Sequence, residues 1–299
     1  MEEAWKWWDR SMHYLFSADP QAFLDLLLGK GQVRYLAHLP EKLEGDLSIV
    51  DTLLETEIIG EGSLLLVHLE SETRKDSKMG ERLLEYNQRI RKKYEYKRDV
   101  LSGVFHLGND ADLKPSPLVW GTPLQQWSHT LQFRYPIVEM KYLTPIGIRR
   151  RGRTALLPLL PLTEGGAEWD VVRGVLHDLE FEGRELLKIA FGMAMRRMSK
   201  EHRKALKKEY YMIYNELRED PLFREMLDDE RREGIQKIQE GLITLVARDF
   251  PELEPLTRAK ITAIDSWEHL QHLMLDLTLL HTHEEMEQFL LLLNDDQLD

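Results

Sequence analysis

The chain contains no cysteine, so disulfides and thiolate metal sites are excluded. That usage fits a reducing cytoplasm, the expected location. No apolar run approaches the length of a membrane span, so membrane insertion is not expected. The first residues, MEEAWKWWDRSMHYLF, alternate charged and aromatic side chains and hold no uninterrupted apolar segment of the kind a signal peptide needs. Positive charge is also in short supply: 40 Lys and Arg stand against 52 Asp and Glu, a formal net charge of −12. This argues against a surface coated in nucleic acid, while a local basic patch can still hold a phosphate backbone.

The 299 residues are 42% hydrophobic, enough to bury a sizeable core in one large or two medium domains. Residues 2–16 and 19–28 read as two short helices. The second has Asp19 as N-cap, Pro20 at the first helical position and Gly29 as C-cap. The stretch VRYLAHLPEKLEG is ambiguous and accommodates a short strand. Ser48 to Glu57 reads as a strand turned by GEG. Ser63 to Glu72, SLLLVHLESE, has the near-continuous apolar run of a strand covered on both faces. Met79, Leu83, Tyr86, Ile90 and Tyr94 recur at helical spacing and predict a helix over Ser77 to Tyr96. Val100 to Gly108 is a further strand, followed by a Pro-rich loop from Lys114 to Pro123. Leu131 to Leu143 is another strand, with Pro136 marking an edge or a bulge. After ALLPLLPLTEGG the texture changes, and from about Ala167 the chain is helical and highly charged. The expected organisation is therefore an α/β core over residues 1–165 and a charged helical region over 166–299.

Two acids close the most buried-looking strand. Alternate strand residues share a face, so Glu70 and Glu72 lie on one side, roughly 7 Å apart along the chain. His68, Leu66 and Leu64 share that side. If the preceding strand pairs as a hairpin, its Asp51 can sit across from Glu70, and three carboxylates converge at a sheet edge. Such a cluster repels itself unless a cation sits among its members. Hard divalent ions prefer oxygen ligands, and a metal-bound water together with a polarised phosphodiester is the chemistry of phosphodiester hydrolysis. The plainer reading of the same pattern is a solvated sheet edge with no ligand.

The series FLDLLLG, VDTLLE, LLLVHLESE, MGERLLEYNQRIRKKY and VLSGVFHL resembles the Rpn-type family of recombination-promoting nucleases and transposase-like proteins, within the PD-(D/E)XK nuclease superfamily. The similarity runs from about Trp5 to Leu162. Its most specific part is the strand His68, Glu70, Glu72 followed by the helix Met79, Arg82, Tyr86; Asp51 matches the Asp of the family's preceding strand. The resemblance implies a restriction-endonuclease-like α/β core with a central mixed sheet. It implies an endodeoxyribonuclease that uses Mg²⁺ or Mn²⁺, acts on DNA and serves recombination or transposon-like mobility. Asp51 and Glu70 would bind the ion, Glu72 would position or deprotonate the water, and Arg82 would reach the phosphate or hold a carboxylate. Glu72 is a departure, since members carry Gln and the wider superfamily Lys at that position. Some restriction endonucleases of the superfamily carry E-x-E, which is similar to the arrangement here. The alternative function is a decayed, non-catalytic member that binds DNA or a protein partner through its helical tail.

Basic residues gather in two places. One is the run Arg149, Arg150, Arg151 and Arg153; the other is a basic helix read over Arg196 to Tyr211, with Arg196, Arg197, Lys200, Arg203, Lys204, Lys207 and Lys208. Both are candidates for contact with a phosphate backbone, and both are equally read as solvated surface. His269, His272, His281 and His283 raise a zinc site, but their spacing also fits ordinary amphipathic helices. The segment MEQFLLLLNDDQLD has an apolar face that suits docking on the domain or on a second copy, as in a homodimer formed through the helical region.

Overall fold

The structure, a computed structural model, describes residues 5–40, 52–74, 76–109, 118–120, 131–280 and 282–293. Two helices lead the chain. In α1 (Trp5–Ala18), Trp8, Met12, Leu15 and Phe16 recur at spacings of three and four and are buried. The Asp19 carboxylate accepts a hydrogen bond from Ala22 N at 3.1 Å and starts α2 (Pro20–Leu28), with Pro20 in the first turn. Gly29 ends it at a φ of +96°, a conformation that favours glycine.

Five strands form one mixed sheet. They are β1 (Val33–Leu39), β2 (Thr52–Ile58), β3 (Leu64–Glu72), β4 (Asp99–His106) and β7 (Ile137–Glu139), in the order β1-β2-β3-β4-β7. The first three pair antiparallel; β3, β4 and β7 run parallel. Helix α3 (Met79–Lys93) makes the crossover between β3 and β4. The ambiguous segment thus resolves as β1. The strand expected over Leu131 to Leu143 is instead two short ones. β6 (Leu131–Phe133) pairs with β5 (Leu118–Trp120) in a separate ribbon, and β7 joins the main sheet. Pro136 lies between them: it has no N–H to give a ladder, and its carbonyl accepts from Val104 N at 3.1 Å where β7 begins.

The two faces of the sheet are packed differently. On one, Leu53, Leu66 and Val100 are buried with Ile90 of α3. On the other, Phe105 meets Phe16 of α1 and Phe23 of α2 at ring distances of 5.4 and 5.5 Å. Leu27 of α2 presses on Gly103, where a Cβ would stand 2.5 Å from its Cδ2.

The change of composition near residue 166 is not where the packing divides. After α4 (Pro145–Arg149), a 3-10 segment over Thr154–Leu162 buries Leu156, Leu159, Leu160 and Leu162. It packs against α5 (Trp169–Leu179) and the almost wholly buried α6 (Arg184–Arg197). With α7 (Lys200–Glu209) and α8 (Tyr211–Glu219), these helices belong to the same compact unit as the sheet, which ends at Asp220. The charge read from the sequence covers only their outer faces.

The second unit begins at Pro221. It comprises α9 (Pro221–Asp249), α10 (Glu254–Ile261), α11 (Trp267–Leu279) and α12 (His283–Leu292). Leu242, Val246, Leu270, Leu273, Leu277, Met286 and Leu290 form its core. Among the described residues, no helix is long and apolar enough to cross a membrane.

Candidate carboxylate site at the end of strand β3

Strand parity puts His68, Glu70 and Glu72 of β3 on the α3 side, and the observed register extends that row sideways. His68 stands beside Ser102 of β4, Glu70 beside Val104, and Glu72 beside His106; His106 in turn stands beside Glu139 of β7. The carboxyl ends of parallel strands are where open α/β sheets place ligands.

Glu70 and Glu72 are only 5% and 7% exposed. The solvated-edge reading is therefore set aside, because buried carboxylates must be compensated by hydrogen bonds or charge. For Glu72 the compensation is complete. Its Oε1 accepts from the backbone N–H groups of Thr73 (3.0 Å) and Arg74 (3.2 Å), and its Oε2 from Arg82 Nη2 (3.1 Å). Glu70 has Oε1 against His68 Nε2 at 2.8 Å, and Oε2 lies 3.9 Å from Arg82 Nη2. Arg82 reaches a third carboxylate through Nη1, at 2.9 Å from Asp76 Oδ2. Burial works against the charge of Arg82, but Glu70, Glu72 and Asp76 outweigh it and raise its pKa. The short loop between β3 and α3 makes this convergence possible. It returns the chain so that Arg82, one turn into the helix, lies over the strand that precedes it.

Asp9 of α1 joins the group from far upstream in the chain. The residue keeps an exposed face, yet burial of its carboxyl, then repulsion from Glu70 and Glu72, pushes its pKa up to about 6 against the opposing pull of Arg82. Four carboxylates thus share the field of Arg82. Nothing in the sequence linked Asp9 to β3, since the two are remote in the chain and only the tertiary fold unites them.

A second pair was equally hidden. His106 is fully buried and its Nδ1 is hydrogen-bonded to Glu139 Oε2, while its Nε2 has no hydrogen-bond partner among the described residues. Gly108 packs tightly here; a Cβ on it would come within 2.8 Å of that nitrogen.

The remaining candidates are distributed as follows. Asp51 lies outside the described residues. Among the described residues, no group of three or more His, Asp and Glu side chains is arranged to hold a metal ion. The basic segment expected as one helix is two, because α6 ends at Arg197 and Ser199 caps α7 by accepting from His202 N. Arg196 stacks over Trp8 at 4.8 Å, and Arg197 Nη2 donates to Leu107 O at 2.7 Å. Both serve the packing beside the carboxylate site, whereas Lys200 and Lys204 are exposed on α7 and Arg203 is half-buried. In the other run, Arg149 is paired with Asp178, Arg151 donates to Asp25 O at 3.3 Å, and Arg153 lies 3.4 Å from Asp19; Arg150 is exposed. Of the four histidines in the tail, His281 lies outside the described residues, and His283 is 3.2 Å from Glu252.

Comparison of the chain with protein-family models, with curated proteins and with solved structures gives no match.

Proposed function

We propose that this protein is a divalent-metal-dependent endodeoxyribonuclease of the PD-(D/E)XK type. The observation that carries the reading is the gathering of Glu70 and Glu72, both buried, with Asp76 around the guanidinium of Arg82, at 3.9, 3.1 and 2.9 Å. The strand order, three antiparallel strands followed by a helical crossover to a parallel strand, is compatible with such a core. Carboxylate oxygens are hard donors, the kind that suit Mg²⁺ or Mn²⁺ and not a soft metal.

In this reading Asp51 and Glu70 hold the ion. When bound, it supplies Lewis-acid polarisation of the phosphodiester. Glu72 is fixed by two backbone N–H groups and Arg82 and would orient the attacking water and accept its proton. Arg82 offsets the charge of the carboxylates it bridges and would present a planar cation toward the phosphate. The exposed Lys200 and Lys204 of α7, with Arg150, are the side chains offered to the DNA backbone. The test is incubation with supercoiled plasmid and Mg²⁺ or Mn²⁺, with and without a chelator. Nicking or linearisation that the chelator abolishes is expected. No cleavage with either ion over a broad range of conditions would leave a module that binds DNA or protein without cutting.

A further inference from the structure

The segment around and beyond β7 is strongly cationic for an acidic chain. Residues 134–153 hold Arg134, Lys141, Arg149, Arg150, Arg151 and Arg153 against one acid, Glu139. The sheet sets the middle of this segment beside the carboxylate site. Glu139 closes β7 and is hydrogen-bonded to His106, and His106 stands beside Glu72 in the β3–β4 register. Neighbouring strands lie about 4.8 Å apart, so the backbone at Glu139 is roughly 10 Å from that at Glu72. The chain next makes a 3-10 turn, Met140–Tyr142, which rises only about 2 Å per residue, so Tyr142 stays close to the strand ends. The turn is anchored on both sides. Met140 and Ile148 are buried. Leu143 N donates to Met140 O at 3.0 Å, and Leu143 O accepts from Glu164 N at 2.9 Å. Thr144 Oγ1 accepts from Gly147 N at 3.2 Å and starts α4. This frame holds two large side chains outward: Tyr142 is 62% exposed and Ile146 61%. Lys141 Nζ lies over the Tyr142 ring, 5.1 Å from its centroid, as cations favour the face of an aromatic ring. Beyond them Arg149 is paired with Asp178 and Arg153 with Asp19, whereas Arg150 is exposed.

We infer that Tyr142, with Ile146 and Arg150, is a stacking surface for the unpaired bases of a DNA strand entering the carboxylate site, and that single-stranded DNA is the substrate class. Aromatic rings within a basic surface hold single strands by stacking on the bases while the cations follow the phosphates. The choice of a single strand follows from the ring itself. A base in a duplex has both faces covered by its neighbours, so a ring fixed on a rigid turn can stack only on a base that is out of the helix. Ile146 extends the apolar surface, and Arg150 supplies the charge for the backbone. The inference rests on the proposed nuclease reading for what happens to the strand; the binding itself does not depend on cleavage.

The test is fluorescence anisotropy of a fluorescein-labelled oligo(dT), alone or annealed to oligo(dA), titrated with the full chain in the presence of a chelator so that no strand is cut. The wild type should bind the single strand more tightly than the duplex. Tyr142→Ala should weaken single-strand binding about tenfold and leave duplex binding unchanged. Tyr142→Phe keeps the ring and should keep the affinity. Ile146→Ala should cost less than Tyr142→Ala. Arg150→Gln should weaken both forms alike and lower the salt slope by about one. Tyr142 is exposed, so an unchanged thermal midpoint in Tyr142→Ala shows that any loss is local. A wild type that prefers the duplex, or a Tyr142→Ala variant that loses nothing or loses equally on both forms, overturns the inference. Plasmid cleavage with Mg²⁺ by a protein that does not bind oligo(dT) overturns it and leaves the nuclease reading standing. Tyr142-dependent binding of oligo(dT) by a protein that cuts no DNA sustains the stacking surface and overturns the nuclease reading instead.

Discussion

The two faces of the central sheet are built from the same strands and solve opposite problems. On the α1–α2 face, β4 contributes Gly103 and Phe105, which pack against Leu27, Phe16 and Phe23 with no polar group among them. On the α3 face, the same strand contributes Ser102 and His106, and β3 contributes His68, Glu70 and Glu72, all buried. There the apolar packing of Leu53, Leu66, Val100 and Ile90 gives way toward the strand ends to a set of hydrogen bonds and ion pairs. The first face supplies stability through area and close packing. The second is stable only because nearly every buried polar atom is met, and that requirement fixes its geometry.

Substitutions on the two faces should therefore separate stability from function. The largest loss of stability is expected from Phe105→Ala, about 3–5 kcal/mol through lost burial and the cavity left behind. A urea denaturation midpoint measures it, and molecules that remain folded should keep the proposed divalent-ion binding. On the other face, Glu72→Lys should cost about 3 kcal/mol, because a cation would meet Arg82 and two backbone N–H groups would lose their acceptor. Cleavage should vanish with it. Preserved or increased cleavage would mean that the site only tolerates Glu where the proposed superfamily carries Lys.

Smaller effects sharpen the contrast. Asp9 has a folded-state pKa near 6, above its ordinary value of 3.8. The folded state thus binds more protons than the unfolded state between these values, and Asp9 removes stability as pH rises from about 4 to 6. Asp9→Asn should raise stability above pH 6 by up to about 1 kcal/mol, a limit set by screening of a partly exposed group, and should flatten that part of the pH profile. Thermal unfolding across pH 4–8 checks the sign. The smallest structural effect is expected from Lys200→Gln with Lys204→Gln, within about 0.5 kcal/mol. The same pair should lower the slope of log affinity for DNA against log salt by roughly two. An unchanged slope would remove α7 from the proposed DNA surface.

How much of this was legible in the sequence differs by the range of the interaction. The capped helix after Asp19, the strand ending in Glu70 and Glu72 and the crossover helix all follow from local chemistry, and the structure has them; Pro136 instead separates two short strands where one was expected. The shared face of His68, Glu70 and Glu72 follows from strand periodicity alone. The burial of those acids did not, because it depends on Arg82 and on backbone N–H groups supplied by the turn after Glu72. Asp9, Ser102 and the His106–Glu139 pair were invisible for a related reason: each meets the site only through tertiary or parallel-strand register, which leaves no short-range spacing to read. The charged texture after residue 166 misled as to the packing boundary, since α6 hides an apolar interior sequence, LLKIAFGMAM, among charged neighbours.

The central claim is that the buried carboxylates of the α3 face form a cation site, and thermal unfolding with Mn²⁺ titrated into the wild type and into Glu70→Gln tests it most directly. A ligand that binds only the folded state raises the unfolding temperature in step with its concentration. The wild type should show such a rise, saturating with Mn²⁺ and reversed by a chelator. Glu70→Gln, whose amide oxygen can still accept from His68, should unfold at nearly the same temperature as the metal-free wild type and respond weakly or not at all. Equal shifts in the two proteins, or none in either, would contradict the account.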